Sequence, residues 1–156
     1  VIAVKSCLFI CTPAVFRFIY IIKREFLPRI FQVNMTCYTE YKNAVINGNR
    51  NQIYELIYNL CDNAIRYNRE NGSVKIITGD DNEHPFVKVA DTGIGIPEKH
   101  HKRVFERFYR VDKSRSKQTG GTGLGLAIVK HIVELHDAVL HLESEPGKGT
   151  MITVAF

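Results

Sequence analysis

The sequence predicts an α/β (α+β) chain, and two kinds of pattern predict it. Apolar residues recur at helical spacing in Ile53, Leu56, Ile57, Leu60 and Ala64, and again in Ile128, Val129 and Ile132. Strand-like runs pair across short polar turns, 73–79 with 85–91 and 138–144 with 150–156. With 156 residues, 45% apolar and 24% charged, the chain is expected to form one domain with a real core. The net charge of +5 is mild and suits an anionic ligand such as a nucleotide. The basic residues are scattered, with no dense Lys/Arg block, so nucleic acid is not an expected partner. Cys7, Cys11, Cys37 and Cys61 lack CxxC pairing and His at zinc-ligand spacing. They read as small buried hydrophobes in a reducing compartment.

Residues 1–12 carry no assignable pattern. Cys7 to Ile22 is apolar, but Thr12, Pro13 and Arg17 interrupt it. It falls short of the ~20 clean apolar residues of a membrane span, and it is not a signal peptide. A soluble amphipathic helix fits better, starting at Pro13 with Thr12 as N-cap. Val15, Phe18, Ile19, Ile22 and Phe26 share one face, Arg17 and Arg24 lie away from it, and Pro28 ends it. Two short strands, 31–37 and 44–47, should follow. Asn47-Gly48 is a turn, and Asn49 can cap a helix running to Tyr67.

That helix has a second face of Glu55, Asn59, Asp62, Asn63 and Arg66. Such a face is usually only solvated, but Asn is a poor helix former and two stand mid-helix. Asn59 and Asn63 point the same way. Asn63 borders the apolar stripe and should be half-buried. An amide oxygen there could hold a hydrated magnesium ion. Arg66, one turn on, could meet a phosphate.

After the turn at Asn71-Gly72 come the strand 73–79, a hairpin loop from Asp80 to His84, and the strand 85–91 with Phe86, Val87 and Val89. It ends in Asp91-Thr92-Gly93-Ile94-Gly95-Ile96-Pro97. A carboxylate beside a bare backbone surface suits a flat ring carrying an amino group, such as adenine. The alternative is a tight turn whose Asp caps the next helix. Pro97-Glu98 should open a short basic helix to Phe105. His100 and His101 are adjacent and point apart, so they are expected to be exposed rather than a metal pair. The aromatics of Phe105 to Arg110 could be core. Residues 112–121 are polar and basic and should form a mobile loop, with Lys113, Arg115 and Lys117 attractive to phosphates.

Gly120-Gly121-Thr122-Gly123-Leu124-Gly125-Leu126 ends that loop and starts a helix. Free backbone N–H groups there would face an anion, helped by the helix dipole. Neither GxGxxG nor a Gly-Lys-Ser/Thr run can be drawn, which excludes a dinucleotide fingerprint and a P-loop. The strands 138–144 and 150–156, joined by Glu145 to Gly149, finish the chain, with His141 read as structural.

Four stretches together carry a resemblance. Asn59 to Tyr67 resembles the asparagine box of sensor histidine kinases, and Asp91 to Gly95 their first glycine box. Phe105 to Arg110 is similar to their phenylalanine box, and Gly121 to Leu126 to their second glycine box. The likeness is close over 31–156 and loose over 13–30. It implies a catalytic ATP-binding domain over 13–156 with the Bergerat fold shared with gyrase. That fold is a two-layer sandwich: a mixed, mostly antiparallel sheet, helices packed on one face, and a mobile ATP lid.

Roles then follow by matching position. The resemblance implies that Asp91 accepts from the adenine amine, with Gly93, Gly95 and Ile96 shaping the pocket. Asn63 would bind Mg2+ with Asn59 assisting, and Tyr67 would line the site. Arg66 stands where the family usually has Lys, keeping charge but not geometry. Arg110 would meet the terminal phosphates, and Gly121, Thr122, Gly123, Leu124 and Gly125 would hold them from the lid side. Asn59, Asn63 and Arg110 are thus the catalytic candidates. Hydrolysing relatives of the fold carry a glutamate at the place matching Asn59.

Two departures stand out. Asp137-Ala138 replaces a usual Gly-Gly pair after the last helix, which should strain one turn. None of the six histidines lies in a phosphoacceptor context. The expectation is a cytoplasmic domain of a membrane-anchored kinase. It would pass the terminal phosphoryl of Mg-ATP to a histidine on a separate dimerisation segment, and through it to a response regulator. A stand-alone Ser/Thr kinase of anti-sigma-factor type and a truncated non-catalytic nucleotide-binding fragment are the alternatives.

Overall fold

The computed structural model describes residues 36–41, 46, 48–81, 84–111 and 121–156. The elements are β1 (Thr36–Tyr41), α1 (Arg50–Arg66), β2 (Ser73–Asp81), β3 (His84–Asp91), α2 (Gly125–Leu135), β4 (Val139–Glu145) and β5 (Gly149–Ala155). Five strands form one sheet in the order β1-β2-β3-β5-β4. Among the described strands, only β1 and β2 run parallel, as a crossover through α1 requires. The other pairs are antiparallel.

Alternation along the strands decides which face is covered. Ile76, Val89, Ile152 and Leu142 lie in one row across four strands, and Thr78, Val87, Val154 and Leu140 in another. Against these rows α1 packs Leu56, Ile57, Leu60, Cys61, Ala64 and Ile65, and α2 packs Val129, Ile132 and Val133. Both helices lie on this face, giving the two-layer arrangement. Cys61 and Ile65 widen the stripe beyond the residues that helical spacing picks out.

The ends of α1 follow its sequence. Asn49 is the N-cap, its Oδ1 accepting from Asn51 N (3.0 Å) and Gln52 N (3.3 Å). His136 then ties the two helices. Its Nδ1 donates to Ile132 O (2.8 Å), leaving Nε2 to accept from Asn49 N (3.2 Å).

Several expectations are corrected. The first strand lies at Thr36–Tyr41 rather than 31–37. Ile46, inside the expected strand 44–47, has no regular structure, and the rest of that strand lies outside the described residues. So do the helix from Pro13, the lid residues 112–120 and, for their side chains, Cys7, Cys11 and Cys37. The hairpin loop is shorter than Asp80–His84, because β2 and β3 pair out to Asp81 and His84. The helix over 97–105 is two 3-10 turns, Glu98–His100 and Arg103–Phe105, whose backbone bonds reach back three residues, from His100 N to Pro97 O and from Glu106 N to Arg103 O. Phe108 is not core, being 71% exposed. His141 sits on the solvent face of β4, in register with Thr153.

Candidate functional site

The sheet's third inward row changes chemistry. Val74, Asp91, Thr150 and Ser144 occupy it in order. Asp91 thus continues the inward side of Val87 and Val89 and ends half-buried at the rim of the core. Its Oδ1 is committed, accepting from Gly93 N (2.8 Å) and Thr150 N (3.3 Å). Among the described residues, Oδ2 accepts nothing. Burial raises the carboxyl pKa to about 6, against the lowering effect of the Gly93 and Thr150 N–H groups.

The glycine run after Asp91 is packed tightly on two sides. A Cβ on Gly93 would lie 2.2 Å from Tyr67 O, and Ile94 N donates to the same carbonyl (3.1 Å). Gly95 has φ 68, and a Cβ there would lie 1.9 Å from Glu145 O. Gly147 N donates to Ile94 O (2.8 Å), and Ile96 N to Ser144 Oγ (2.8 Å). Ser144 in turn donates to Gly149 O (2.9 Å). The β4–β5 turn therefore braces the loop from behind.

Between this loop and the helices lies a cavity of about 650 Å³. It brings together Asn59, Asn63, Arg66, Tyr67, Asp91, Gly95, Ile96, Arg110, Gly121, Thr122, Gly123 and Gly125. Gly93 and Leu124 do not line it. Gly93 is buried under Tyr67, and Leu124 is the N-cap of α2. Leu124 supplies no side-chain cap, and the first turn of α2 carries no acid. Its N–H groups are thus suited to an anion.

The polar face of α1 is not simply solvated. Asn59, Asp62, Asn63 and Arg66 all face the cavity, whereas Glu55 is exposed and does not line it. Asn59 Nδ2 donates to Glu55 O (2.8 Å), which leaves Oδ1 toward Gly125. Asn63 Nδ2 is buried with no hydrogen-bond partner among the described residues. A half-turn of that amide exchanges nitrogen for oxygen without breaking a bond at Nδ2. Arg66 is oriented by Asp62, whose Oδ2 accepts from Nε (3.2 Å) and Nη2 (3.0 Å). Arg66 Nη1, Tyr67 Oη and Arg110 Nη2 converge within 3.4 to 3.6 Å of the Cβ position on Gly121.

One end of the cavity is thus a carboxylate in an apolar wall, and the other is cationic with an open helix terminus. Residues 48–156 match the model of the histidine kinase-, DNA gyrase B-, and HSP90-like ATPases. The chain belongs to this family.

Among similar proteins of this family is the sensor histidine kinase YkoH of Bacillus subtilis, 40% identical over 130 residues, covering 83% of this chain and 28% of that protein. The phosphate regulon sensor protein PhoR of Pseudomonas aeruginosa is 45% identical over 111 residues, covering 71% of this chain and 25% of that protein. The chain thus spans about a quarter of the length of these relatives. Among solved structures, the catalytic domain of histidine kinase ThkA superposes with a TM-score of 0.77 at 26% identity, covering 92% of this chain and 93% of that one. The mycobacterial sensor histidine kinase MprB gives 0.73 at 26% identity, covering 89% and 93%.

Within this ATPase family frame, Asp62, Asn68, Tyr109 and Thr150 also line the cavity, though sequence reasoning gave them no role. Period-two alternation from Ile152 would have found Thr150. Asn68 ties the end of α1 to the sheet, Nδ2 donating to Ser73 O (3.0 Å), which no local pattern reveals. His100 and His101 are half-buried rather than exposed, because both rings find partners: Tyr109 Oη at 2.6 Å and Ile96 O at 2.8 Å. No helix among the described residues is long and apolar enough to cross a membrane.

Proposed function

We propose that this ATPase domain binds Mg-ATP and donates its terminal phosphoryl group to a histidine of a separate dimerisation segment in two-component signalling. The parent would be a membrane-anchored kinase with this domain on the cytoplasmic side, and the phosphoryl group would pass onward to a response regulator. The observation that carries the proposal is Asp91, with Oδ1 locked by backbone N–H groups and Oδ2 open at the cavity wall. A carboxylate so held is a fixed acceptor for the amino group of adenine.

The other residues divide the remaining work. The N-terminus of α2, Arg110 and Arg66 attract the phosphates at the far end. Asn63 would hold Mg2+, assisted by Asn59, and the orphaned Asn63 amide fits that role. Neutral amide oxygens complete a shell that keeps most of its waters. The ion would supply neutralisation of charge on the phosphate oxygens. An imidazole nitrogen of the acceptor attacks phosphorus, the bond to the bridging oxygen breaks, and ADP leaves with the electron pair. Catalysis here is positioning and charge stabilisation, with little covalent work for the protein.

The test is calorimetric titration with ATP, with and without Mg2+, followed by labelled ATP plus a separate His-bearing dimerisation segment. Magnesium-dependent binding and acid-labile label on the added segment are expected. Acid-stable label would favour the Ser/Thr kinase reading, and no binding would sink the proposal.

A further inference from the structure

Tyr109 is held at its hydroxyl end and on its ring face. His100 Nδ1 lies 2.6 Å from its hydroxyl, and the Arg103 guanidinium carbon stands 4.3 Å from the ring centroid. Tyr109 also lines the nucleotide cavity beside Arg110. The backbone just before it is unusual. Phe108 has φ 62, its N–H donates to Gly123 O (2.8 Å), and Tyr109 O lies 3.2 Å from the Cβ position on Gly123. Tyr109 therefore stands where the 103–110 segment meets the second glycine run.

His100 is itself anchored. Its N–H donates to Pro97 O (2.8 Å), and the ring of the next residue, His101, is hydrogen-bonded to Ile96 O (2.8 Å). A short turn fixed to the first glycine run thus reaches across to the segment bearing Arg110. Without the ring of His100, backbone bonds remain: Phe108 N to Gly123 O, and Tyr109 N to Glu106 O at 3.3 Å.

We infer that His100 is a positioning residue: its bond to the Tyr109 hydroxyl holds Tyr109, and with it Arg110, at the phosphate end of the cavity. The inference rests on the proposed function, since it takes Arg110 as the cation that meets the terminal phosphates. The physical reason is aim. A long guanidinium stem amplifies small rotations of its own backbone, and a misplaced charge stabilises a phosphate poorly. A donor aligned before the ligand arrives needs no reorganisation when it does.

The experiment measures Kd for a non-hydrolysable ATP analogue and for ADP, with Mg2+, in the full chain. His100→Phe should raise the ATP-analogue Kd by roughly 3- to 10-fold, as one lost hydrogen bond does. The ADP Kd should stay within about twofold of the wild type, because the adenine end is untouched. Tyr109→Phe should show the same split, and the double variant should be no worse than either single one. His100→Asn, whose amide falls near the place of Nδ1, should restore the ATP-analogue affinity. Equal weakening for both nucleotides would make the pair merely structural and overturn the inference. So would unchanged affinities, or additive losses in the double variant. Failure of the proposed function shows instead in the wild type, as an absence of binding to either nucleotide.

Discussion

Under the proposed function, Asp91 serves binding at the expense of folding. Its carboxyl is raised from 3.8 to about 6 by burial. A raised acid contributes stability that is fully present below the unfolded pKa and lost as pH rises through the folded one. The ionised Asp91 therefore weakens the free domain above pH about 6, and the penalty fades toward pH about 4. Asp91→Asn should remove it while its Oδ1 still accepts from Gly93 and Thr150. Thermal melts should thus show the variant more stable than wild type at pH 7, with the gap closing toward pH 4. Calorimetry should show nucleotide binding weakened by on the order of 1–3 kcal/mol, because an amide N–H can face the adenine amine. Wild-type affinity should itself fall as pH drops below about 6, where Asp91 takes up a proton. Unchanged affinity in the variant would remove Asp91 from the adenine site.

At the scale of the element, α2 is finished by a complete turn built from the wrong residue. Ala138 N donates to Val133 O (3.0 Å) and Asp137 N to Glu134 O (3.4 Å), the paired bonds of a Schellman end. That end requires a left-handed residue, and Asp137 supplies it with φ 50. The strain expected from Asp137-Ala138 is therefore present, and it lies away from the cavity. Asp137→Gly should stabilise the domain by about 1 kcal/mol, through relief of the left-handed cost. Denaturant melts should register this with nucleotide affinity unchanged; a destabilised variant would refute it. Asn71 and Phe108 are the other non-glycine residues with positive φ among the described residues, and Phe108 lies against Gly123, which lines the cavity.

For the whole molecule, the reaction depends on which acceptors the two layers bring to the phosphate end. Water needs a base, and Asn59 is a neutral amide where hydrolysing relatives are expected to carry glutamate. Glu55, one turn earlier on the same face, is exposed and off the cavity, and Asp62, which lines it, is engaged by Arg66. The isolated chain should therefore bind ATP yet release phosphate slowly, lacking general-base help of typically ~10²–10⁴-fold. A phosphate-release assay checks this: Glu55→Gln should match the wild type, and rapid release lost in that variant would overturn the idea. Much of this was legible along the chain. Periodicity alone marked α1, α2 and the strands from β2 onward, because each buries one face against a common core. Spacing also grouped Asn59, Asn63 and Arg66, and it left Asp91 at a strand end beside glycines. Other features needed the fold. Only the pairing of β3 with β5 shows that Thr150 shares Asp91's row and locks one of its oxygens. Only the approach of the β4–β5 turn explains Gly95, and only the meeting of two turns gives His100 its tyrosine. Local periodicity reports which side of an element faces inward. It is silent on which distant backbone or ring arrives there, because that is set by how the layers close on one another.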